Sequence, residues 1–308
     1  MATFDLTGSP YREHVRYLTY TVPPEHSGVE VGTLLRRGLG FSATLIKRVK
    51  YLEDGISLDG VRVTTRTRAE AGQCLRVRLS DSERRSEIQP APGVLDILYE
   101  DEDLLVLNKA PGMAVHPGVG HWTDTLGSAL LDYYDRCAIP ADFHPVHRLD
   151  KGTSGAMVVT KHAYAQDQLR QALHSGAFRR EYLAVCDGTP PTEHGTVDLP
   201  LAHAGDSVIR QEIRSDGLPA HTEYEVLQHT PLRTLVRLRL QTGRTHQIRV
   251  HMAAIGCPLT GDFLYGTEDQ ALISRPALHS HMLSFVHPVT GEELTFTVPL
   301  LEDMKKLL

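Results

Sequence analysis

Cysteine is scarce and scattered in this chain: Cys74, Cys137, Cys186 and Cys257 are the four present, and no two form a Cys-x-x-Cys pair. That pattern excludes a disulfide framework and a thiolate zinc site, and fits a reducing compartment. Long apolar runs are missing too. None approaches the roughly 18 residues of a membrane-spanning helix, and the opening Met1-Ala2-Thr3-Phe4-Asp5 lacks the basic-then-apolar order of a secretory leader. A cytoplasmic protein with no membrane partner is expected. There is no internal repeat, no low-complexity tract and no Gly-x-x-x-x-Gly-Lys-[Ser/Thr] loop for a nucleotide. What is left is ordinary globular composition over 308 residues, 41% of them hydrophobic, enough for one large domain or two unequal ones.

Positive charge is also short overall. Against 38 Asp and Glu there are 32 Lys and Arg, a net −6. Taken alone this opposes a nucleic-acid partner, because phosphate binding rests on Lys and Arg displacing counterions. The average conceals an uneven distribution: residues 32–79 hold ten basic and four acidic residues, a local +6, which leaves −12 elsewhere. Here Val31, Leu34, Leu35 and Leu39, then Leu45, Ile46, Val49 and Leu52 after a Ser42 cap, have the spacing of two amphipathic helices. After Gly55 the period drops to two. Ile56-Ser57-Leu58, a tight Asp59-Gly60 turn and Val61-Arg62-Val63 predict a hairpin. Cys74 to Leu79 predicts a further strand with Arg76 and Arg78 on one face, and Val15 to Val22 a strand that pairs with the same small sheet. Arg37, Lys47, Arg48 and Lys50 are the candidate RNA contacts of this module, with a merely solvated basic face as the alternative.

Residues 80–93 are polar, contain two prolines and lack an apolar period, so they predict an exposed linker. The expected division is 1–80, a linker at 81–93, and 94–308. Beyond Val94, strands are predicted around residues 96–99, 104–107, 156–159, 181–185, 222–227, 234–240 and 294–298, with helices at 126–134, 163–175 and 247–255. Strands joined by hairpins with a few helices alongside predict an α+β fold with a largely antiparallel, mixed sheet, preceded by a small α+β module.

The densest polar cluster is His147-Arg148-Leu149-Asp150-Lys151-Gly152-Thr153-Ser154-Gly155, just ahead of the buried strand at 156–159. A Gly-bounded turn entering that strand leaves Asp150 on a loop among cations, where a carboxylate can act as nucleophile, base or ligand. Other readings stay open at this level. Asp150 could simply pair with Arg148 or Lys151, and Ser154, His147 and Asp150 could form a hydrolase triad, although the turn is not Gly-x-Ser-x-Gly. A second cluster, Thr242-Gly243-Arg244-Thr245-His246-Gln247-Ile248-Arg249-Val250-His251, runs from a strand end into a helix and suits an anion. His246 and His251 stand five apart, poor spacing for two ligands on one helix face, so no metal is expected.

These two clusters, taken with Asn108-Lys109-Ala110-Pro111-Gly112-Met113, Arg180-Glu181-Tyr182-Leu183-Ala184-Val185, Gly261-Asp262, Leu278-His279 and Phe285-Val286-His287-Pro288, resemble in content and order the RluA family of RNA pseudouridine synthases. The resemblance covers residues 94–300. The basic module resembles the small RNA-binding domain of ribosomal protein S4, which is common in that family. What the resemblance implies is an isomerase that turns uridine within RNA, most readily large-subunit ribosomal RNA, into pseudouridine without a cofactor or metal. Nothing in it demands more than a monomer. Asp150 would be the catalytic carboxylate, Arg249 its ion-pair partner, and Tyr182 the ring stacked on uracil. Leu278 would form part of the base pocket, and Arg148 would hold the target base out of its stack. Lys109, Lys151, Arg179, Arg180 and Arg244 would meet flanking phosphates at the mouth. A binding protein that does no chemistry and a serine hydrolase are the competing function classes.

Overall fold

Apolar alternation decides the small N-terminal sheet. In the computed structural model, which describes residues 15–308 apart from 82, 206 and 208, strand β1 (Tyr17–Thr21) pairs antiparallel with β4 (Cys74–Arg78). The part of the expected first domain before residue 15 lies outside the described residues. Strands β2 (Ile56–Leu58) and β3 (Val61–Arg62) form the expected hairpin, with Asp59 and Gly60 both at positive φ, and the sheet runs β1-β4-β2-β3. Helix α1 (Ala43–Val49) starts where Ser42 accepts the Leu45 amide. The first amphipathic segment is less regular than its spacing predicts: a single turn at Val31–Thr33 widens into a π-type turn over Leu34–Gly38. Its apolar side chains still reach the shared core, where Leu34, Leu35, Ile46 and Val49 pack on Leu75 and Val77. Arg76 and Arg78 are less available than a solvated face suggests. Arg76 lies 3.7 Å from the centre of the Tyr17 ring, and Arg78 pairs with Asp54 at 2.6 Å.

The second unit is built on a ten-stranded sheet. Its strands include β5 (Ile97–Glu100), β6 (Leu104–Lys109), β7 (Ser154–Thr160), β8 (Arg179–Asp187), β9 (His194–Asp198), β10 (His221–His229), β11 (Arg233–Leu240), β12 (Leu278–Val286) and β13 (Glu293–Thr297). The order is β9-β10-β11-β8-β12-β7-β6-β5, with β13 on β12 and the short His144–Pro145 segment on β7. Runs such as Leu104-Leu105-Val106-Leu107 are apolar at every position because both faces are covered. Leu105, Leu107, Met157 and Val159 face helices α2 (Leu126–Arg136) and α4 (Gln247–Ala254), while Leu104, Val106, Ala156 and Val158 pack toward Leu169 of helix α3 (Ala163–Ser175) and Phe285.

Pairing along this sheet is antiparallel except where β7 meets β12, with Ser154 opposite His279 and Gly155 opposite Ser280. Only glycine fits at this junction. Gly155 has φ 106°, and a Cβ there would lie 2.2 Å from the Ser280 carbonyl oxygen. Beside it, His279 Nε2 is 3.2 Å from the Val298 carbonyl, an acceptor only, so Nε2 donates and Nδ1 accepts from the Ser154 hydroxyl at 2.9 Å.

The two units are docked on each other. Tyr164 of α3 donates to the Leu39 carbonyl at 3.0 Å and its ring lies 4.5 Å from that of Phe41, while Gln168 donates to the Gly40 carbonyl at 2.8 Å. Arg16 forks onto Asp103 at 2.9 and 3.1 Å, and His162 reaches the same carboxylate at 3.0 Å. Burial pushes Asp103 up, but the His162 and Arg16 contacts outweigh it and hold the carboxyl well below its usual range. The expected linker is largely exposed but is anchored as well. Its described residues carry no helix or strand, yet Asp142 accepts the Arg85 and Ser86 amides at 2.9 Å, Asp81 meets His144 at 2.6 Å, and Ile88 packs on the main core. The segment is a strap pinned at Asp81, Arg85 and Ser86 by residues more than fifty positions away.

Burial lowers His279 to about 4. A histidine depressed in the folded state stabilises the protein above its unfolded value, and that contribution is lost as pH falls through the folded one. Unfolding free energy is therefore expected to drop by up to about 3 kcal/mol between pH 6.5 and 4 from this group. Denaturant titrations of His279→Gln should show a flatter pH dependence across that window.

Candidate active site

The catalytic-loop candidate and three distant elements converge on one cleft of about 760 Å³. Asp150 stands on the loop before β7, Tyr182 projects from β8, Leu278 opens β12 and Arg249 lies on α4. A register shift between Glu181 and Tyr182 in the pairing of β8 with β12 sets the aim of the Tyr182 ring. Arg148 and Arg244 are exposed at the rim. Lys151 is exposed beside the loop, with its Nζ 2.9 Å from His121 Nε2.

Asp150 is half-buried, with Oδ2 3.5 Å from Arg249 Nη1 and 4.0 Å from His246 Nε2. The stronger partner of Arg249 is Asp262, whose fully buried carboxylate takes Nε at 2.7 Å and Nη2 at 2.8 Å. This fork fixes the guanidinium plane and leaves Nη1 directed at Asp150. Asp262 is held in turn by the Leu264 amide at 3.0 Å. Gly261 before it has φ 75°, and a Cβ there would lie 2.6 Å from the Arg275 carbonyl oxygen. His246 begins α4 at φ 56°, left-handed for a side-chain-bearing residue, and its Nδ1 meets the Tyr265 hydroxyl at 2.9 Å.

Two further cations clamp the Asp150 loop. Lys109 is buried and donates to the carbonyls of Ala110, Met113 and Lys151 at 2.8, 2.9 and 3.3 Å. Burial brings its ammonium down to about 7, against the opposing pull of Asp150. The expectation that Lys109 meets a phosphate at the mouth is therefore corrected: its three donors are taken up by backbone. Arg275 donates to the Gly152 and Leu278 carbonyls at 3.2 and 3.1 Å and forks onto Asp303, tying the loop to the base of β12. Nothing in the sequence marked Arg275, because its acceptors are backbone oxygens brought near by folding. Asp262 was visible only inside a matched motif, without a role.

Other expectations separate. Arg180, expected at the mouth, is buried in the cleft wall, and Arg179 is exposed outside the lining. Arg170 and His116 join Arg148 at the mouth instead, and His116 is lowered by burial and then by those two arginines. Burial, the first cause, raises the Tyr182 phenol, which keeps it neutral. Arg37, Lys47 and Lys50 line a different cleft, of about 510 Å³, in the N-terminal unit, while Arg48 is exposed away from it. The hydrolase triad does not form: Ser154 is fully buried and bonded to His279, and neither His147 ring nitrogen has a partner among the described residues.

Known proteins are similar to this chain. Residues 103–254 match the family described as RNA pseudouridylate synthase. An uncharacterized RNA pseudouridine synthase of Bacillus subtilis is 40% identical over 270 residues, 88% of this chain and 95% of the relative. The ribosomal large subunit pseudouridine synthase D of Vibrio cholerae is 41% identical over 271 residues, 83% of each chain. Among solved structures, human RNA pseudouridylate synthase domain containing 1 superposes with a TM-score of 0.56 at 27% identity, covering 70% of this chain and 89% of its own. Fold, cleft and relatives define one class, the RNA pseudouridine synthases. Within it, the chain belongs to the RluA-type family.

The Arg249–Asp262 fork generates a prediction. Asp262→Asn keeps the shape but strands a buried guanidinium, and breaking a pair of this kind costs about 3–5 kcal/mol. Chemical unfolding should show that loss, and single-turnover conversion of RNA should slow at least ten-fold in the folded fraction.

Proposed function

We propose that the enzyme isomerises uridine in structured large-subunit ribosomal RNA, with Asp150 as the catalytic carboxylate. One observation carries this reading: among the described residues, Asp150 is the single carboxylate lining a cleft that also presents Arg148, Arg170, Arg180, Arg244 and Arg249. A chain of net charge −6 that sets Arg148, Arg170 and Arg244 exposed around a cleft holding one acid suits a polyanion with one reacting centre. The name of the Vibrio cholerae relative supports the ribosomal substrate.

The reaction breaks the bond from ribose C1′ to uracil N1 and joins C1′ to C5, with no atoms gained or lost. A base cannot turn while stacked and paired, so the target must be flipped out at a cost of a few kcal/mol, least in loops and mismatches. Arg148 at the rim fills the gap it leaves. Tyr182 offers a neutral ring to stack on the uracil, and Leu278 offers an apolar wall. Asp150 faces the sugar, where it attacks the ribose or the base or removes a ribose proton; each route needs a charged carboxylate held in one orientation, which the Arg249 contact provides. Arg244 and Lys151 meet flanking phosphates. The N-terminal unit acts as an S4-like RNA anchor, its contacts made by Arg37, Lys47, Arg48 and Lys50, and its docking on α3 holds that anchor at a set distance from Asp150.

Two experiments test this reading. Asp150→Asn should abolish pseudouridine formation, mapped in ribosomal RNA from cells lacking the endogenous enzyme, while RNA binding persists; conversion by the variant overturns the assignment. Replacing Arg37, Lys47 and Lys50 with Gln should weaken binding across RNA sequences and reduce the slope of log affinity against log salt by about one for each phosphate no longer neutralised. An unchanged slope removes the module from the RNA interface.

A further inference from the structure

Three arginines are buried in this protein among the described residues: Arg180, Arg249 and Arg275. Arg249 forks onto Asp262, and Arg275 forks onto Asp303. Arg180 has no such carboxylate among the described residues. It is 7% exposed, Nη2 donates to the Thr242 carbonyl at a long 3.3 Å, and its buried Nε has no partner. A buried charge without a carboxylate partner is costly, and an incoming acceptor lowers that cost.

The position says which ligand. Arg180 lines the cleft two residues before Tyr182 on β8, and its charge acts on the Tyr182 phenol. His147, beside it, is depressed to about 3 by burial and then by Arg180, so it is neutral and offers no anion. The RNA phosphates stay with the backbone at the rim, where Arg148 and Arg244 are exposed. What reaches the depth of Tyr182 is the flipped base. Uracil is neutral in the substrate, but when its N1–C1′ bond breaks, the electron pair stays on N1 and spreads over O2 and O4. A donor fixed in advance where charge develops stabilises that state selectively.

We propose that Arg180 is a catalytic residue that donates to a carbonyl oxygen of the target uracil and stabilises the ring anion between cleavage of N1–C1′ and formation of C5–C1′. The pair released onto N1 returns to C1′ through C5. The proton lost from C5 is balanced by one gained at N1, so no co-reactant is required. This rests on the reading that the cleft holds a flipped uridine.

The test uses the full-length enzyme, Arg180→Gln and Arg180→Lys, on a synthetic RNA stem-loop containing the uridine that the wild-type enzyme modifies. A second copy of that RNA carries 5-fluorouridine there, whose fluorine stabilises the ring anion without help. With uridine, Arg180→Gln should slow single-turnover loss of the N1-linked nucleoside about 100-fold, with RNA affinity within two-fold of wild type and the Lys variant intermediate. With 5-fluorouridine the deficit should shrink at least ten-fold. An equal deficit on both RNAs makes Arg180 a packing residue, and lost affinity at an unchanged rate makes it a phosphate anchor; either overturns the proposal, as does full activity of Arg180→Gln. Thermal melting accompanies each variant, and the Lys variant carries the comparison if the Gln variant does not fold. Failure of the wild-type enzyme to convert any uridine would instead overturn the proposed function.

Discussion

The close approach of Ser154-Gly155 to His279-Ser280 is the constraint on which the active site depends. It joins strands more than a hundred residues apart as parallel neighbours within an otherwise antiparallel sheet, and it tolerates no side chain at Gly155. Once it is made, the loop carrying Asp150 must leave β7 beside the first residue of β12, Leu278. Tyr182 on β8 then lies across β12 from the same point, opposite Ser280. Tyr182, Leu278 and the Asp150 loop are thus brought together by backbone pairing.

Electrostatics refine what the backbone places. The cleft concentrates positive charge in a net acidic protein, and its one carboxylate among the described residues is oriented through a relay: backbone amide to Asp262, Asp262 to Arg249, Arg249 to Asp150. The tight bonds lie at the buried end and the long one, 3.5 Å, at Asp150, the proposed reacting end. Such a gradient suits catalysis, because the supporting groups are locked by packing while the reacting oxygen keeps acceptor capacity for substrate. Lys109 and Arg275 extend the same logic, committing their donors to loop carbonyls so that the loop does not rely on substrate to hold its shape.

The N-terminal unit is not a loosely tethered appendage. Apolar contact between Phe41 and Tyr164, backbone capture by Gln168, and the Arg16–Asp103–His162 cluster fasten it at three kinds of contact, and the strap at 81–93 runs over the surface that follows α2. Helix α3 serves both ends. Tyr164 and Gln168 hold the basic unit, while Arg170 and His174, farther along and on a different face, line the cleft of Asp150.

Much of this was legible in the sequence, because local patterns report local causes. Period two and period three-to-four placed most strands and helices to within a few residues but left β9 and β12 off the predicted strands and made the segment at 31–39 too regular; Ser42 announced its helix, and Asp59-Gly60 announced its turn. Asp150, Tyr182, Arg249 and Leu278 were marked by motif and do share one cleft. The errors share a different cause. Lys109 and Arg180 are charged, and charge in a sequence reads as exposure; Lys109 is buried because folding wraps backbone carbonyls around its ammonium, and Arg180 is buried without a carboxylate among the described residues. Sequence alone determined which segments could be strands, where charge of each sign lay, and which residues could do chemistry. The tertiary structure alone decided strand order, the acid that Arg249 and Arg275 each received, and which cations were left facing the substrate. Partner choice is set by contacts far apart in the chain, and no local period encodes them.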